Sequence, residues 1–220
     1  TLLFSGLESI SYNINRRMPD LKFYEFGNVY SYIPAQAQSS DVTRKYSERK
    51  KLSLFVTGSQ QSETWYKTSA KSDYHFLKSM VLATLRKTGI NISKLVAAEA
   101  DSRLFAEGEA LSINTKPLLS IGRLSQAVLK QFDIKQDVFY AELDWTTLLR
   151  EVKPDSVKFS EISRFPEVRR DLALLLDKAV KFADIEALAN RNGKGILRSV
   201  NLFDVYEGEK IEAGKKSYAV

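Results

Sequence analysis

The residues of this 220-residue sequence that could do chemistry are carboxylates, cations and a single histidine, His75. There is no cysteine, so thiol catalysis, disulfides and zinc-thiolate sites are excluded. A metal site would have to consist of carboxylates. Near the end of the sequence Glu207, Glu209 and Glu212 alternate with lysines in a glycine-containing segment, which is typical of a solvated hairpin tip. The sequence therefore predicts no catalytic residue, no bound cofactor and no metal ligand.

One glycine-rich segment fits a nucleotide-binding pattern. Gly193-Lys194-Gly195-Ile196-Leu197-Arg198 matches the loose third motif of class II aminoacyl-tRNA synthetases, Gly-x-Gly-x-x-Arg. In those enzymes the motif follows a strand and begins a helix, whereas here a helical pattern precedes it and a β-forming run follows. We therefore interpret Gly193 and Gly195 as the end of a helix and a turn.

The formal net charge of +6 permits RNA binding without requiring it. Residues 1–150 contain 20 Lys and Arg against 15 Asp and Glu, and residues 151–220 contain 13 against 12. Much of the excess lies in Arg44, Lys45, Arg49, Lys50 and Lys51, interpreted as a solvated segment with an RNA contact as the alternative. No membrane span or signal peptide is evident, so the sequence predicts a cytoplasmic protein without a membrane partner.

The first 150 residues alternate between helical and β-forming patterns. Apolar residues at 3, 7, 10 and 14 predict an amphipathic helix that ends at Pro19. Runs at 23–30 and 51–58 predict two paired strands, joined by a mobile loop of about 20 residues. Ser72 and Gly89 are expected to bound a second helix. Further expected elements are strands at 109–114, 117–123 and 137–144, a helix at 125–132 and a helical turn at 145–150.

The last 60 residues predict half of a split βαβ unit. The apolar run 172–176 is short enough to be a strand, and Phe182, Ile185, Leu188 and Ala189 recur at helical spacing. A second strand is expected at 196–205, with Phe203 and Val205 in the core, and a third strand begins at Ser217. The segment Lys153-Pro154-Asp155 is typical of a linker.

Three blocks of this second segment resemble one known domain. They are Phe165-Pro166-x-Val168-Arg169-Arg170-Asp171-Leu172-Ala173, Val200-x-Leu202-Phe203-Asp204-Val205-Tyr206-x-Gly208 and Gly214-Lys215-Lys216-Ser217. In this order they are similar to the ferredoxin-fold anticodon-binding domain of the phenylalanyl-tRNA synthetase beta subunit. The first segment resembles the class II core-like module of that subunit, through Asn15-Arg16-Arg17-x-Pro19-Asp20-Leu21-x-x-Tyr24-Glu25-Phe26-Gly27-x-Val29-Tyr30, Asp73-Tyr74-x-Phe76-Leu77-Lys78 and residues 118–143.

The resemblance implies an α+β fold, in which a class II synthetase-like mixed or antiparallel sheet with helices precedes a truncated ferredoxin-like unit. It implies a catalytically silent core at 1–150, a linker at 151–160 and part of the anticodon-binding domain at 161–220. Because the chain begins with Thr1 and its ferredoxin-like unit is incomplete, a C-terminal fragment of a longer beta subunit is expected. The implied partners are an alpha subunit, in an α2β2 ligase, and the tRNA for phenylalanine.

The same resemblance implies that this chain does not activate an amino acid. Class II synthetases hold the ATP α-phosphate with an arginine in a strand resembling Gly-x-Val-Phe-Arg-x-Glu, because a guanidinium offers two aligned donors. Here the run beginning at Gly27 has Ser31 and Ile33 at the positions of the arginine and the glutamate. ATP and magnesium are therefore expected only in the holoenzyme, bound by the alpha subunit, and none in this fragment.

The RNA-contact candidates follow from side-chain chemistry and from the position of the implied domain. Aromatic rings and guanidinium groups stack on unpaired bases, and cations hold phosphates. The candidates are Arg169, Arg170, Arg198, Tyr206, Lys215 and Lys216. Two alternatives stay open, namely a free-standing RNA- or small-molecule-binding module with a ferredoxin-like half, and a ligase fragment that binds ATP at an unrecognised site.

Overall fold

The computed structural model describes residues 1–38, 40–152, 161, 165–208, 211–212 and 214–220. The fold is α+β, as expected, and the chain divides into two compact units, Thr1–Val157 and Lys158–Val220. The expected linker at 151–160 lies almost entirely outside the described residues. The domain bounds 1–150 and 161–220 therefore stay predictions.

The first unit contains an antiparallel sheet with helices on it. The strands are β1 Leu21–Tyr32, β2 Tyr46–Thr57, β3 Leu95–Glu99, β4 Phe105–Ile113, β5 Lys116–Leu124 and β6 Val138–Asp144. They follow the spatial order β1-β2-β6-β5-β4-β3, and every neighbouring pair is antiparallel. The helices are α1 Leu3–Ile14, α2 Tyr74–Lys87, α3 Gln126–Lys130 and α4 Trp145–Glu151, with 3-10 turns at Pro34–Gln36, Val42–Lys45 and Ile92–Lys94.

Both faces of this sheet are covered, because successive side chains of a strand point to opposite faces. Phe55 of β2 packs in a cluster with Leu3, Leu7 and Ile10 of α1. Its neighbour Val56 packs in a second cluster that includes the buried stripe of α2, which consists of Leu77, Val81 and Leu85. The side chains of β2 therefore alternate between two separate apolar cores, one on each face of the sheet.

Helix α1 approaches β2 closely at Gly6. A Cβ atom at this position would lie 2.7 Å from Cε1 of Phe55, and closer still to two other ring atoms. The helix is therefore seated directly on the Phe55 ring, which also packs on the Tyr140 ring with centroids 4.8 Å apart. A small residue at Gly6 sets the separation between helix and sheet.

The boundaries of several elements differ from the expectations. Helix α1 ends at Ile14, before Pro19, because Arg17 adopts a positive φ of 64° that turns the chain. Helix α2 is capped by Asp73 and not by Ser72, since the Asp73 carboxylate accepts a hydrogen bond from the Phe76 N–H at 2.7 Å. The pairing of the first two strands is confirmed, but each is 12 residues long, so the connecting segment is shorter than expected.

The second unit contains a three-stranded sheet and one helix among its described residues. The elements are β7 Ala173–Asp177, α5 Phe182–Asn192, β8 Asp204–Tyr206 and β9 Lys215–Ala219. Strand β9 lies between β7 and β8 and is antiparallel to both, so β7 and β8 run parallel to each other. This is the expected split βαβ arrangement.

Two expectations about this unit are wrong. The second strand is confined to Asp204–Tyr206, because residues 197–203 have no regular structure. Phe203 and Val205 are about half exposed, since β8 is a short strand at the edge of the described sheet, where it pairs with β9. The interpretation of the glycines is confirmed: the Gly193 N–H donates to the Ala189 carbonyl at 2.7 Å to close α5, and Gly195 has a φ of 82°.

Candidate RNA-binding surfaces

The register of the second sheet sorts the candidate residues onto two faces. Tyr206 lies directly opposite Ser217 of β9, so both side chains point to the same face. Lys215 precedes Ser217 by two residues and shares this face, which also carries the exposed Leu175 of β7. Lys216 and Tyr218 point to the opposite, buried face. The structure therefore brings Tyr206 and Lys215 together and separates Lys216 from them.

Tyr206 and Lys215 are accessible on this open face. The Tyr206 side chain is 42% exposed, and its ring lies over Gly208, where a Cβ atom would collide with it. The Lys215 ammonium forms an ion pair with the Glu212 carboxylate at 2.6 Å, and this hydrogen bond raises the pKa of Lys215. A surface pair of this kind exchanges readily for a phosphate, because it contributes little stability in water.

Lys216 is already engaged inside the unit. The residue is only 8% exposed, its Nζ donates to the Lys178 carbonyl at 2.9 Å, and it lies 4.6 Å from the centroid of the Tyr218 ring. A phosphate contact would require the loss of this buried hydrogen bond. The assignment of Lys216 to RNA stays a prediction, and its environment is that of a structural residue.

The three candidate arginines differ in their surroundings. The Arg169 Nε lies 3.4 Å from an Asp171 oxygen, and its guanidinium carbon lies 5.6 Å from the centroid of the Phe203 ring. Arg170 and Arg198 are exposed, Arg198 in the irregular segment before β8. All three guanidinium groups therefore face solvent, and their contact with RNA stays a prediction.

The first unit carries an aromatic surface that was not expected from the sequence. Strand β6 pairs with β2 only between Lys51 and Thr57, so the pairs from Asn28↔Lys50 to Tyr32↔Tyr46 extend beyond the rest of the sheet. We name this two-stranded extension, residues 28–32 and 46–50, the aromatic arm. One of its faces carries Tyr30, Tyr32 and Tyr46, each more than half exposed. The signal in the sequence is the alternation of aromatic residues at 24, 26, 30 and 32.

An open hollow adjoins the base of the arm on the same face. Its volume is about 480 Å³, and it is lined by Phe26, Gly27, Asn28, Lys50 and Trp145. The Phe26 and Trp145 rings meet edge to face with centroids 4.9 Å apart. The Lys50 N–H is held by the Thr146 hydroxyl at 3.1 Å, which fixes the backbone from which the Lys50 side chain extends.

The end of β1 carries uncharged side chains where the sequence analysis looked for a phosphate-binding arginine. Ser31 lies opposite Ser47, and neither hydroxyl carries a charge. Arg49 shares this face, but its guanidinium is 3.0 Å from the Asp144 carboxylate, which caps α4. Within the described ranges, no group of three or more His, Asp and Glu side chains is placed to hold a metal ion.

In the described part of the chain, no helix has the length and hydropathy needed to cross a membrane.

Comparison with known proteins identifies both units. Residues 1–145 match the model of the phenylalanyl tRNA synthetase beta chain CLM domain, and residues 163–220 match that of the ferredoxin-fold anticodon binding domain. An α+β unit with an antiparallel sheet, followed by an anticodon-binding ferredoxin-fold unit, defines a component of an aminoacyl-tRNA synthetase. The chain belongs to the phenylalanyl-tRNA synthetase beta chain family.

Curated relatives from several bacteria carry the name phenylalanine-tRNA ligase beta subunit. The protein from Bacteroides thetaiotaomicron is 45% identical over all of this chain, and that from Porphyromonas gingivalis is 39% identical. The protein from Bacillus licheniformis is 32% identical, also over all of this chain. The chain spans 27% of the length of the first two relatives and 26% of the third.

Proposed function

We propose that this chain is a non-catalytic part of the beta subunit of phenylalanine-tRNA ligase. In this role it supports an alpha subunit, in an α2β2 assembly in the cytoplasm, during ATP-dependent attachment of phenylalanine to its tRNA. The observation that supports the proposal is the pair of family matches on this one chain, to the beta chain CLM domain at 1–145 and to the ferredoxin-fold anticodon binding domain at 163–220.

The first unit acts in this proposal as a class II synthetase-like core without chemistry of its own. Ser31 occupies the strand position at which an active class II core has its arginine, and Arg49 is committed to Asp144. Binding of ATP, magnesium and phenylalanine is therefore assigned to the alpha subunit. The exposed apolar side chains of Phe4, on α1, and Met18, after it, provide the contact surface for that subunit.

The subunit contact can be tested by co-expression with the alpha subunit from the same organism. We expect the two chains to co-elute as a stoichiometric complex in size-exclusion chromatography. Phe4→Asp is expected to weaken co-elution, because a buried carboxylate at an apolar contact would be desolvated without a partner. The matched control Glu99→Ala, on the far edge strand β3, should leave it unchanged. Separate elution of the unmodified chain would instead favour a free-standing RNA-binding module.

The second unit contributes to tRNA binding through its open sheet face. Tyr206 provides a ring for stacking on an unpaired base, and Lys215 provides a cation for a phosphate. Arg169, Arg170 and Arg198 extend this surface with exposed guanidinium groups. Lys216 takes part in this proposal only if its bond to the Lys178 carbonyl opens.

From this tRNA contact we expect separate effects of the Tyr206 ring and of the Lys215 charge. Tyr206→Ala should weaken binding of the phenylalanine tRNA about fivefold or more, the loss of one base stack. Lys215→Ala should reduce the salt slope of binding by about 0.7 to 0.9, the value for one phosphate contact. Filter binding at several salt concentrations measures both.

The buried lysine offers the control. Lys216→Met keeps roughly the length of the side chain. This variant should lower the melting temperature and leave the salt slope of tRNA binding unchanged. Equal salt slopes for the unmodified chain and Lys215→Ala would contradict the proposed role of Lys215.

A further inference from the structure

We propose that the aromatic arm of the first unit binds a single-stranded segment of RNA, in a contact separate from the anticodon surface of the second unit. The arm presents aromatic rings and cations on one face, and the family assignment gives neither group a role. The inference goes beyond the proposed function, which places RNA only on the second unit.

The rings of the arm are arranged for stacking. Tyr30 and Tyr32 lie two residues apart on β1, which spaces them by about 7 Å along the strand on one face. Tyr46 lies opposite Tyr32, with ring centroids 5.7 Å apart in an edge-to-face arrangement. Tyr30 is 64% exposed, so its ring is free to receive a base. Aromatic rows of this kind bind single strands without sequence preference, because every base has a stacking face.

Cations lie at both ends of this row. Lys50 shares the face of the tyrosines and lines the hollow beside Phe26 and Trp145. Arg44 and Lys45 lie at the tip, in the 3-10 turn that precedes β2. Residues 28–50 contain four Lys and Arg against two Asp and Glu. A phosphate backbone running along the arm would therefore meet positive charge at its base and at its tip.

The two acidic residues of this segment are engaged locally. Asp41 accepts hydrogen bonds from the N–H and hydroxyl of Thr43, at 2.9 and 2.6 Å, and pairs with Arg44 at 3.5 Å. Glu48 accepts a hydrogen bond from the Asn28 amide. Both carboxylates keep their negative charge, and Glu48 lies opposite Tyr30 on the same face. The four cations outnumber them, so residues 28–50 carry a net charge of +2 that attracts a polyanion.

The composition of the face favours RNA over a protein partner. Tyrosine and arginine are common at protein interfaces as well, but lysine is depleted there. The arm carries Lys50 at its base and Lys45 at its tip, and the aliphatic Val29 points to the other face. Charge complementarity with phosphates and stacking on unpaired bases therefore identify a single strand as the occupant.

The test uses the full chain and a short fluorescein-labelled RNA of mixed sequence without the phenylalanine anticodon. Tyr30→Ala and Tyr46→Ala are each expected to weaken binding of the single strand about fivefold or more, and Tyr30→Phe to preserve it. Lys50→Ala should lower the salt slope by about 0.7, the value for one contact with a single strand. A duplex of the same sequence should bind with the same affinity to the unmodified chain and to Tyr30→Ala.

The matched control is Tyr12→Ala. Tyr12 is another exposed tyrosine with a cation over its ring, since the Arg16 guanidinium carbon lies 3.3 Å from the ring centroid, but it lies on α1. Its loss should leave RNA binding unchanged.

Several results would overturn the inference. One is equal loss of RNA affinity in Tyr12→Ala and Tyr30→Ala. Another is loss of co-elution with the alpha subunit in Tyr30→Ala with RNA binding intact, which would identify the arm as a subunit contact. A change of oligomeric state in Tyr30→Ala would identify a second copy as the occupant. Because the probe lacks the anticodon, failure here leaves the Tyr206 and Lys215 measurements unaffected.

Discussion

Replacement of Glu142 by alanine is expected to lower the free energy of unfolding by about 2–3 kcal/mol, because it removes a partly buried ion pair and two further hydrogen bonds to a charged acceptor. The Glu142 side chain is only 13% exposed, and one carboxylate oxygen accepts from the Lys51 ammonium at 2.7 Å. The other oxygen accepts from the Tyr140 hydroxyl at 2.8 Å and the Thr1 hydroxyl at 2.7 Å. The variant would remove the charged acceptor that these three donors share.

Glu107→Ala is the matched control. Glu107 also forms an ion pair, with Arg123 at 2.8 Å, but its side chain is 76% exposed. Its removal should cost less than about 1 kcal/mol, because water screens the pair. Urea unfolding followed by circular dichroism measures both variants. Equal destabilisation by the two substitutions would show that burial does not decide the strength of the Glu142 contacts.

The pH dependence of the free energy of unfolding gives a second measure of how much the Glu142 contacts stabilise the fold. Burial raises the pKa of this carboxyl, but the hydrogen bonds from Lys51, Thr1 and Tyr140 outweigh burial and lower the pKa to about 2. Because the folded-state pKa is below the unfolded value, the unfolded chain binds the proton more tightly. The stabilisation is therefore present above about pH 4.5 and is lost as the pH falls towards 2. Glu142→Gln should flatten this part of the stability profile.

Replacement of Phe55 by alanine is expected to lower the free energy of unfolding by about 3–5 kcal/mol, which is the second large effect. Phe55 is 2% exposed and packs between α1 and the Tyr140 ring, so its removal leaves a cavity in the core. Phe26→Ala removes the same ring from the neighbouring strand, where the side chain is about half exposed, and should cost much less. Comparable losses in the two variants would contradict the assignment of Phe55 to the core.

A double-mutant cycle with Gly6 sharpens this test. In the unmodified chain Gly6→Ala should destabilise, because the added methyl group would collide with the Phe55 ring. In the Phe55→Ala background the same methyl group enters the vacated space and adds helix propensity, so the change should be neutral or stabilising. The two substitutions are therefore expected to couple by more than about 0.5 kcal/mol, the limit of additivity for distant sites.

Sequence patterns predicted the elements with strong periodicity. The stripe of Leu3, Leu7 and Ile10 and the pairing of β1 with β2 depend on local spacing, and both are found. Strand β3 was missed, because Ala97 and Ala98 lack the branched or aromatic side chains of typical strands. Its formation depends on pairing with β4, which is a tertiary contact that a local pattern does not contain.

The orientation of the candidate RNA-binding residues also depends on tertiary contacts that a local sequence pattern does not contain. The side-chain chemistry of Lys215 and Lys216 is identical, and adjacency in sequence gave no reason to separate them. Only the register of β9 places one ammonium at the open face and the other against the Lys178 carbonyl. The aromatic arm was missed for a related reason, since its exposure depends on where β6 ceases to pair with β2.

The central position of β9 has a consequence for synthesis on the ribosome. Strands β7 and β8 both precede β9 in the chain, and in the described sheet each is paired with β9 alone. Neither strand can acquire its partner until residues 215–219 have left the ribosomal exit tunnel. The two strands of the second unit are therefore expected to stay unpaired during elongation, and the sheet to close late, when β9 inserts between them.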